Sequence, residues 1–399
     1  MNRMLRAATA AIAALLVVPS LGGGARAADT VKVGVVMPLT GSLAAFGKTS
    51  EEGLELAAQD INDRGGVKSL GGAHIELVVR DSTSEPAGAA EATTRLIDDV
   101  HPIAVIGAYA SALSLTASTA CERRGVPFLT ISFTDDLTSR NYKDTFQVTP
   151  KASVIGGKQL AYATEIAREA HDTLKTIAIV YEDTAYGTSQ AGGLKALAEK
   201  SGITVALFEA YPHGLTDAMP LVQKINAAKA QVLFPVSYFT DAVLIVRGLK
   251  QTGSTTQIVA GAAGFVIPEF EKSLGSLTEN ILSIDTSAYD EYGSFETAFR
   301  KKFGTFAPHE SYEHAVLLYA VRDALEKSKA TSPDALRSAL AQLDVSGGPY
   351  AGLPGGSVKF DATGLNTKAY PIMVQWRKGE LVTVWPKGAH TAPPIWTAK

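Results

Sequence analysis

The chain has 399 residues, of which 46% are hydrophobic and 19% are charged, so it is a packed globular protein and not a disordered, collagen-like or coiled-coil chain. At about 150 residues per domain, this length accommodates two or three domains. Lys and Arg number 37 against 40 Asp and Glu, a formal net charge of -3, and no basic run is present, which excludes nucleic acid as an expected partner. The single cysteine, Cys121, excludes an internal disulfide and a thiolate zinc site.

Residues 1–27 have the three parts of a secretory signal peptide. Two basic residues, Arg3 and Arg6, precede the apolar run 7–18, and the small-residue sequence ARA follows at 25–27. The run of 12 residues is shorter than the roughly 20 residues needed to span a bilayer, and no cysteine stands at the cleavage point. We therefore expect removal of this segment, export of the chain and no membrane anchor.

Strands and helices alternate in the chain that follows. The continuous apolar run 31–37 is typical of a strand buried in a parallel sheet, and the apolar residues of 51–61 fall on one helical face. The alternation continues with predicted strands and helices in turn at 75–79, 86–99, 103–106, 113–124 and 127–131. Segments of this length in this order indicate βαβ units and a doubly wound parallel sheet.

A second series of the same kind follows Pro150. Its predicted helices are 152–169, 189–199, 219–228 and 241–251, and its predicted strands are 176–181, 204–210, 232–235 and 257–260. The last third has predicted helices at 295–303, 309–327 and 333–343 and strands at 358–360 and 371–376, too few strands for a separate sheet. The sequence therefore predicts an α/β protein with two doubly wound parallel-sheet lobes, which the last third completes.

Each series places an aromatic residue and a glycine before or at the start of a helix. Phe46 and Gly47 follow the first strand of the first series, and Tyr186 and Gly187 follow the first strand of the second. In open α/β sheets, ligands bind beyond the carboxyl ends of the strands, where these loops lie. Two facing lobes would bring Phe46 and Tyr186 to a shared cleft, although such pairs also occur as ordinary loop residues.

The sequence contains no recognisable catalytic motif. His309 and His314 are five residues apart, whereas a zinc-protease helix needs histidines four apart on one face. The glycine patterns of phosphate loops, dinucleotide-binding turns and nucleophile elbows are also absent. We expect no catalytic activity, no cofactor and no metal. Four further histidines stand beside turn residues and are expected at the solvated surface: His74, His101, His171 and His213.

The opening of the chain resembles the periplasmic leucine/isoleucine/valine-binding proteins of ABC importers. The resemblance rests on VGVVMPLTGSLAAFG at 33–47 and DINDRGG at 60–66, and it continues through VIG at 105–107, GVPF at 125–128 and DLT at 136–138. It covers essentially the whole chain after the signal peptide. It implies a type I periplasmic binding fold, in which two α/β lobes joined by three hinge crossings close on a small ligand.

The resemblance also implies the lobe boundaries. The crossings would fall near 147–150, 277–283 and 353–358. The N-terminal lobe would comprise 28–147 plus 282–355, and the C-terminal lobe would comprise 148–281 plus 356–399. We expect a periplasmic monomer.

The resemblance also implies a ligand site between the lobes. Ser111, at a predicted helix start, would hold a ligand carboxylate with its hydroxyl and backbone N–H groups, since helix N termini attract anions; a simple N-cap role is compatible. The loop after the fourth strand would complete the polar contacts. The full set of expected ligand-binding residues is Phe46, Ser111, Ser132, Phe133, Thr134, Tyr186, Tyr238 and Ala263.

One position departs from the family pattern. Ala263 stands where amino-acid binders carry an acidic residue for the ammonium group of the ligand, and a buried ammonium without a partner is costly. Phe133 replaces a smaller residue, which makes the expected pocket more aromatic. These features favour an amine-free aromatic or aliphatic acid over an amino acid, unless Asp135, Asp136 or Asp241 supplies the missing charge.

The implied function is that of a solute-binding receptor that delivers a small carboxylate to an inner-membrane ABC permease. A ligand sensor of the same fold, coupled to a signalling partner, is one alternative. A secreted hydrolase is another, but it would need a catalytic constellation that the sequence does not display. DNA-binding regulators of this fold carry an N-terminal helix-turn-helix, and the predicted signal peptide occupies that place.

Overall fold

The computed structural model describes residues 30–329, 331–389 and 391–398. The predicted signal peptide lies outside the described residues. Within those residues, no helix combines the length and apolar character needed to cross a membrane.

Strands and helices follow one another in chain order as the alternating pattern predicts. The first series is β1 (Thr30–Met37), α1 (Ala44–Asp63), β2 (His74–Asp81), α2 (Pro86–Val100), β3 (Ala104–Gly107), α3 (Ser111–Glu122), β4 (Phe128–Thr130) and β5 (Thr145–Gln147). The second is α4 (Ala152–Glu169), β6 (Thr176–Glu182), α5 (Ala185–Lys200), β7 (Thr204–Tyr211), α6 (Met219–Ala228), β8 (Val232–Val236), α7 (Phe239–Gln251), β9 (Gln257–Ala260), α8 (Pro268–Leu274) and β10 (Leu282–Asp285). The last part comprises α9 (Ser294–Phe303), α10 (His309–Ser328), α11 (Pro333–Leu340), β11 (Asp344–Ser346), β12 (Ser357–Lys359), β13 (Ile372–Arg377) and β14 (Glu380–Trp385).

Two sheets form the centres of the two lobes. The first sheet has the order β2-β1-β3-β4-β5 and is parallel throughout. The second has the order β14-β13-β10-β9-β8-β6-β7, with only β13 and β14 antiparallel to their neighbours. Strands β3 and β8 are buried along their whole length, because helices cover both faces of a parallel sheet. The predicted α/β class with two doubly wound lobes is confirmed.

Strand pairing differs from the predicted lobe boundaries at two points. Strand β10 pairs with β9 and β13 in the second sheet, although residue 282 was expected to open the return to the first lobe. Leu365 bridges Gln147 at the edge of the first sheet, and Phe360 packs edge-on against Phe146 with ring centroids 5.1 Å apart. The segment 356–366 therefore lies against the first lobe, not the second, because its apolar residues cover the edge at β5.

Helix α1 begins at Ala44, seven residues before its predicted start, and three further helices begin two to four residues early. Helix α3 begins at Ser111, α5 at Ala185 and α7 at Phe239, each two to four residues before the predicted start. The residues added are those at the cleft, where polar and aromatic side chains interrupt the apolar helical pattern. Helix α10 begins at His309 as predicted and packs against α1 of the first lobe.

Candidate functional site

A narrow cavity lies between the two lobes, beyond the carboxyl ends of the strands. Its volume is about 10 Å³, which is room for about one water molecule. The first lobe and α10 contribute Tyr109, Ser111, Ile131, Ser132, Phe133 and His309, and the second lobe contributes Tyr186, Tyr238 and Ala263. The lobes are therefore closed upon each other around a small residual space.

A chain of hydroxyl groups fixes the loop between β3 and α3. Ser114 Oγ accepts the N–H of Ala108 at 2.7 Å and lies 2.7 Å from Ser132 Oγ. The Ser132 hydroxyl donates to the carbonyl of Tyr109 at 2.5 Å. Tyr109 has φ of 63°, an uncommon conformation for a bulky residue, so this loop needs such support.

Ser111 occupies the N terminus of α3, at the cavity wall. Its hydroxyl accepts the N–H of Thr134 at 3.2 Å and so ties this helix start to the loop after β4. Burial raises the pKa of the Tyr238 phenol well above its ordinary value, and the nearby backbone N–H of Ser111 acts in the opposite direction. The phenol of Tyr238 thus faces the helix end that would attract an anion.

Aromatic rings from both lobes form the walls. The ring centroids of Phe133 and Tyr186 lie 5.7 Å apart, those of Tyr186 and Tyr238 lie 5.4 Å apart, and those of Tyr109 and Tyr238 lie 6.3 Å apart. Phe46 stacks on Tyr109 from behind at 4.5 Å and does not reach the cavity. The space between the lobes suits a flat or branched apolar body.

His309 brings a buried imidazole to the same cavity. Its Nδ1 lies 3.5 Å from Asp285 Oδ1 and 3.6 Å from Glu310 Oε2, and neither ring nitrogen has a hydrogen-bond partner. Burial lowers the pKa of His309 to about 3 and raises the pKa of Asp285 to about 7 and that of Glu310 to about 8. Among the residues described, no group of three or more His, Cys, Asp or Glu side chains could hold a metal ion.

Six of the eight residues expected at the site line the cavity: Ser111, Ser132, Phe133, Tyr186, Tyr238 and Ala263. Phe46 lies behind Tyr109, as described above. Thr134 also lies outside the lining, and its hydroxyl is 3.2 Å from Ser189 Oγ on α5, across the cleft.

The alternative acids for a ligand ammonium lie elsewhere. Asp135 accepts the backbone N–H of Ser153 at 3.0 Å, and Asp136 is exposed. Asp241 accepts the backbone N–H of Leu215 at 2.7 Å. None of the three lines the cavity.

Sequence reasoning missed Tyr109, Ile131 and His309 as lining residues. Tyr109 directly follows the VIG strand end, and Ile131 directly precedes the predicted polar loop, so both carried a positional signal. His309 was weighed only as a metal ligand. His213, expected at the solvated surface, lies in the cleft instead, with Nε2 3.2 Å from Ser42 Oγ of the first lobe.

A family model described as periplasmic binding protein matches residues 30–380. The chain belongs to the periplasmic binding protein family. It is 30% identical over 392 residues to Leu/Ile/Val-binding protein homolog 7 of Brucella melitensis, covering 94% of this chain and 96% of that one. The resemblance drawn from the sequence is confirmed.

Two solved structures share the fold of this chain. One is the branched-chain amino acid transporter substrate binding protein of Streptococcus pneumoniae in complex with isoleucine, with TM-score 0.77, 24% identity and coverage of 88% of this chain and 98% of the other. The second is an ABC transporter solute binding protein from R. palustris in complex with benzoate, with TM-score 0.78, 18% identity and coverage of 92% and 97%. These two likenesses show that the chain shares the fold of both solute-binding proteins.

Proposed function

We propose that this chain is the solute-binding component of an ABC importer and that it closes on a small carboxylate without an α-amino group. Family membership supports ligand binding between two closing lobes. The predicted signal peptide supports a periplasmic location, and we infer an inner-membrane permease as the partner of a monomeric receptor. We propose no catalytic role.

The observation that carries the ligand class is the absence of a carboxylate from the described cavity lining. Every side chain there is aromatic, aliphatic, a hydroxyl or the imidazole of His309. An α-ammonium group enclosed by these residues would lose its hydration and find no opposite charge, which costs several kcal/mol. Amino acids are therefore disfavoured relative to their amine-free analogues.

The same lining suits a carboxylate attached to an apolar body. The N terminus of α3 at Ser111 presents backbone N–H groups that have no acceptor within the helix, together with the positive end of a helix dipole. Tyr109, Phe133, Tyr186 and Tyr238 supply apolar ring surface around it. The fold accommodates isoleucine in one neighbour and benzoate in another, so the choice of ligand class rests on the residues of this cavity.

Two matched ligand pairs test the ligand class directly. Leucine and 4-methylpentanoate differ only in the α-amino group, as do phenylalanine and 3-phenylpropanoate. We expect the amine-free member of at least one pair to raise the melting temperature of the protein lacking residues 1–27, because a ligand at 100 times its Kd adds about 2.7 kcal/mol to stability. Isothermal titration calorimetry then gives the Kd of each member.

The pairs also show how the proposal fails. Tighter binding of leucine or phenylalanine than of its amine-free analogue would contradict the proposed ligand class. Benzoate is added as a fifth compound. If neither benzoate nor any of the four paired compounds binds, the result contradicts a small apolar carboxylate as the ligand.

A further inference from the structure

A carboxylate enclosed in this cavity would need a counter-charge. No lysine or arginine is among the described lining residues. The N terminus of α3 contributes a partial positive charge, but the burial of a full anion in an apolar site demands more compensation than a helix end supplies. The only side chain of the lining that can become a cation near neutral pH is His309.

His309 is placed to take that role. The residue is fully buried, lines the cavity, and leaves both Nδ1 and Nε2 without a hydrogen bond, a costly state for polar atoms in a protein interior. Asp285 Oδ1 and Glu310 Oε2 approach Nδ1 from behind, at 3.5 Å and 3.6 Å. With Nδ1 facing these two carboxyl groups, Nε2 is left for a ligand.

We propose that His309 binds the ligand carboxylate as an imidazolium and that the site takes up one proton from solvent when the ligand binds. When the ligand binds, one neutral imidazole takes up one proton and forms an imidazolium–carboxylate pair with one ligand carboxylate. This inference rests on the proposed function, since it requires an anionic ligand. It names a specificity-determining residue and makes proton uptake a property of binding.

The groups around His309 support uptake upon binding and not before it. Burial lowers its pKa to about 3 in the unliganded protein, so the ring is neutral at pH 7 and has a proton to gain. Burial likewise raises the pKa values of Asp285 and Glu310, so the negative charge beside the ring near pH 7 is smaller than that of two ordinary carboxylates. The titratable groups facing His309 or its two carboxyl neighbours are Tyr109, Tyr186, Glu269, Asp285, Tyr289, Tyr292, Glu310, Glu313 and His314.

The sign of the pH dependence follows from the uptake. Because the bound state holds more protons than the free state, acid favours binding and the affinity falls as the pH rises. One proton per ligand corresponds to a loss of affinity of about tenfold per pH unit between about pH 6 and 8, where the free carboxylate is already ionised.

Calorimetry on the wild-type protein tests this without any variant. 3-Phenylpropanoate and 4-methylpentanoate are titrated at one pH in buffers that differ in ionisation enthalpy, and the slope of the observed heat gives the protons taken up. We expect about one proton per ligand and a Kd that rises with pH. A probe that binds with no proton uptake and a constant Kd would overturn the role of His309 and leave the proposed function standing, whereas failure of both probes to bind would count against the proposed function itself.

A matched pair of variants assigns the proton to one ring. His309→Gln removes the imidazole at the cavity, whereas His314→Gln removes an equally buried imidazole on the same helix that bonds to the Glu310 carbonyl at 2.8 Å and does not line the cavity. We expect His309→Gln to weaken binding tenfold or more at pH 6 and to abolish proton uptake, and His314→Gln to keep the uptake. Equal uptake in His309→Gln and wild type would contradict the assignment.

Nitrogen NMR gives a readout that a purely structural role of His309 would not change. In the free protein, the ring should display one protonated and one unprotonated nitrogen, and in the complex with 3-phenylpropanoate both nitrogens should be protonated. The signals are assigned by their loss in His309→Gln. An unprotonated nitrogen persisting in the saturated complex would also overturn the proposal.

Discussion

Two cavity residues adopt a left-handed backbone conformation. Ala263 has φ of 49° and Tyr109 has φ of 63°, and residues other than glycine visit this region at a cost. Asp and Asn tolerate it better than most residues because their short polar side chains bond to the local backbone. Position 263 can therefore accept an acidic side chain without a change of backbone.

We expect Ala263→Asp to reverse the preference within each ligand pair. The new carboxylate would face the cavity, repel the carboxylate of 3-phenylpropanoate and 4-methylpentanoate, and offer a partner to the ammonium of phenylalanine and leucine. The amine-free acid should bind at least tenfold more weakly than in the wild type, equivalent to about 1.4 kcal/mol. Calorimetric Kd values of the four compounds measure the change.

Ala263→Asn is the matched control, because it has the shape of aspartate without its charge. We expect the asparagine variant to retain the preference for the amine-free acid, with a loss of affinity that reflects size alone. If the two variants weaken 3-phenylpropanoate equally, charge at position 263 does not determine the ligand class.

The sequence predicts the side chains at the cavity better than their roles. Tyr186 follows from a strand end and a helix start that the alternating pattern locates, whereas Ser111 and Tyr238 follow from the family resemblance. The roles of Ser132 and Thr134 depend on hydroxyl partners in distant segments, namely the Tyr109 carbonyl and Ser189, and no local pattern reports such contacts. His309 lies beside Asp285 only because β10 and α10 meet in the folded chain.

Helices α4 and α5 pack closely against each other where each has a glycine. A β-carbon on Gly193 would lie 2.0 Å from the carbonyl oxygen of Ser153, and one on Gly156 would lie 2.1 Å from that of Gln190. Backbone atoms cannot withdraw as the end of a flexible side chain can. The close approach fixes the position of α5, whose first turn carries Tyr186 to the cavity.

We expect Gly193→Ala to destabilise the protein by about 1–3 kcal/mol, because the added methyl group forces the two helices apart. It should also weaken ligand binding, since Tyr186 moves with α5. The adjacent Gly192→Ala provides the control, because no atom lies within 4 Å of its β-carbon. Gly192→Ala should stabilise the helix by about 0.4–1 kcal/mol through the unfolded chain. Urea denaturation gives the free energy of unfolding of both variants. If the two variants change stability in the same direction, this interpretation of the helix contact is contradicted.

The alternating pattern predicts most helices and strands but misses β5, β10, β11, β14 and α8. Strand β10 has four residues and β5 has three, so neither offers enough sequence to establish a period. The segment 356–366 reads as a linker followed by a strand of the second lobe, yet the bridge between Gln147 and Leu365 joins it to the first sheet. Pairing partners at sheet edges are set by tertiary contacts, which explains the misplaced lobe boundaries.

The closed lobes of the unliganded protein leave no room for a ligand. The cavity of about 10 Å³ is far below the several hundred Å³ typical of small-molecule sites. Polar contacts cross the cleft, among them those between Ser42 and His213 at 3.2 Å and between Thr134 and Ser189 at 3.2 Å. A ligand can therefore enter only when the lobes separate and these contacts break.

The contact between Thr134 and Ser189 offers a way to lock the closed form. Their Oγ atoms are 3.2 Å apart, so cysteines at both positions are within reach of a disulfide after a small adjustment. The native Cys121 is free but buried, which keeps it from competing. We expect the oxidised Thr134→Cys/Ser189→Cys protein to bind no 3-phenylpropanoate, and reduction to restore binding, as followed by calorimetry.

Adding the ligand before or after oxidation distinguishes a blocked entrance to the site from a site damaged by the two substitutions. With 3-phenylpropanoate bound, the space between the lobes must be wider than the unliganded cavity of about 10 Å³, so saturation before oxidation should slow formation of the disulfide, as followed by thiol titration. Each single-cysteine variant, treated with the same oxidant, should bind and release the probe as freely as the reduced double variant. If the oxidised, unliganded double variant binds the probe rapidly, the ligand reaches its site without separation of the lobes at this contact. The hinge would then not control access to the site.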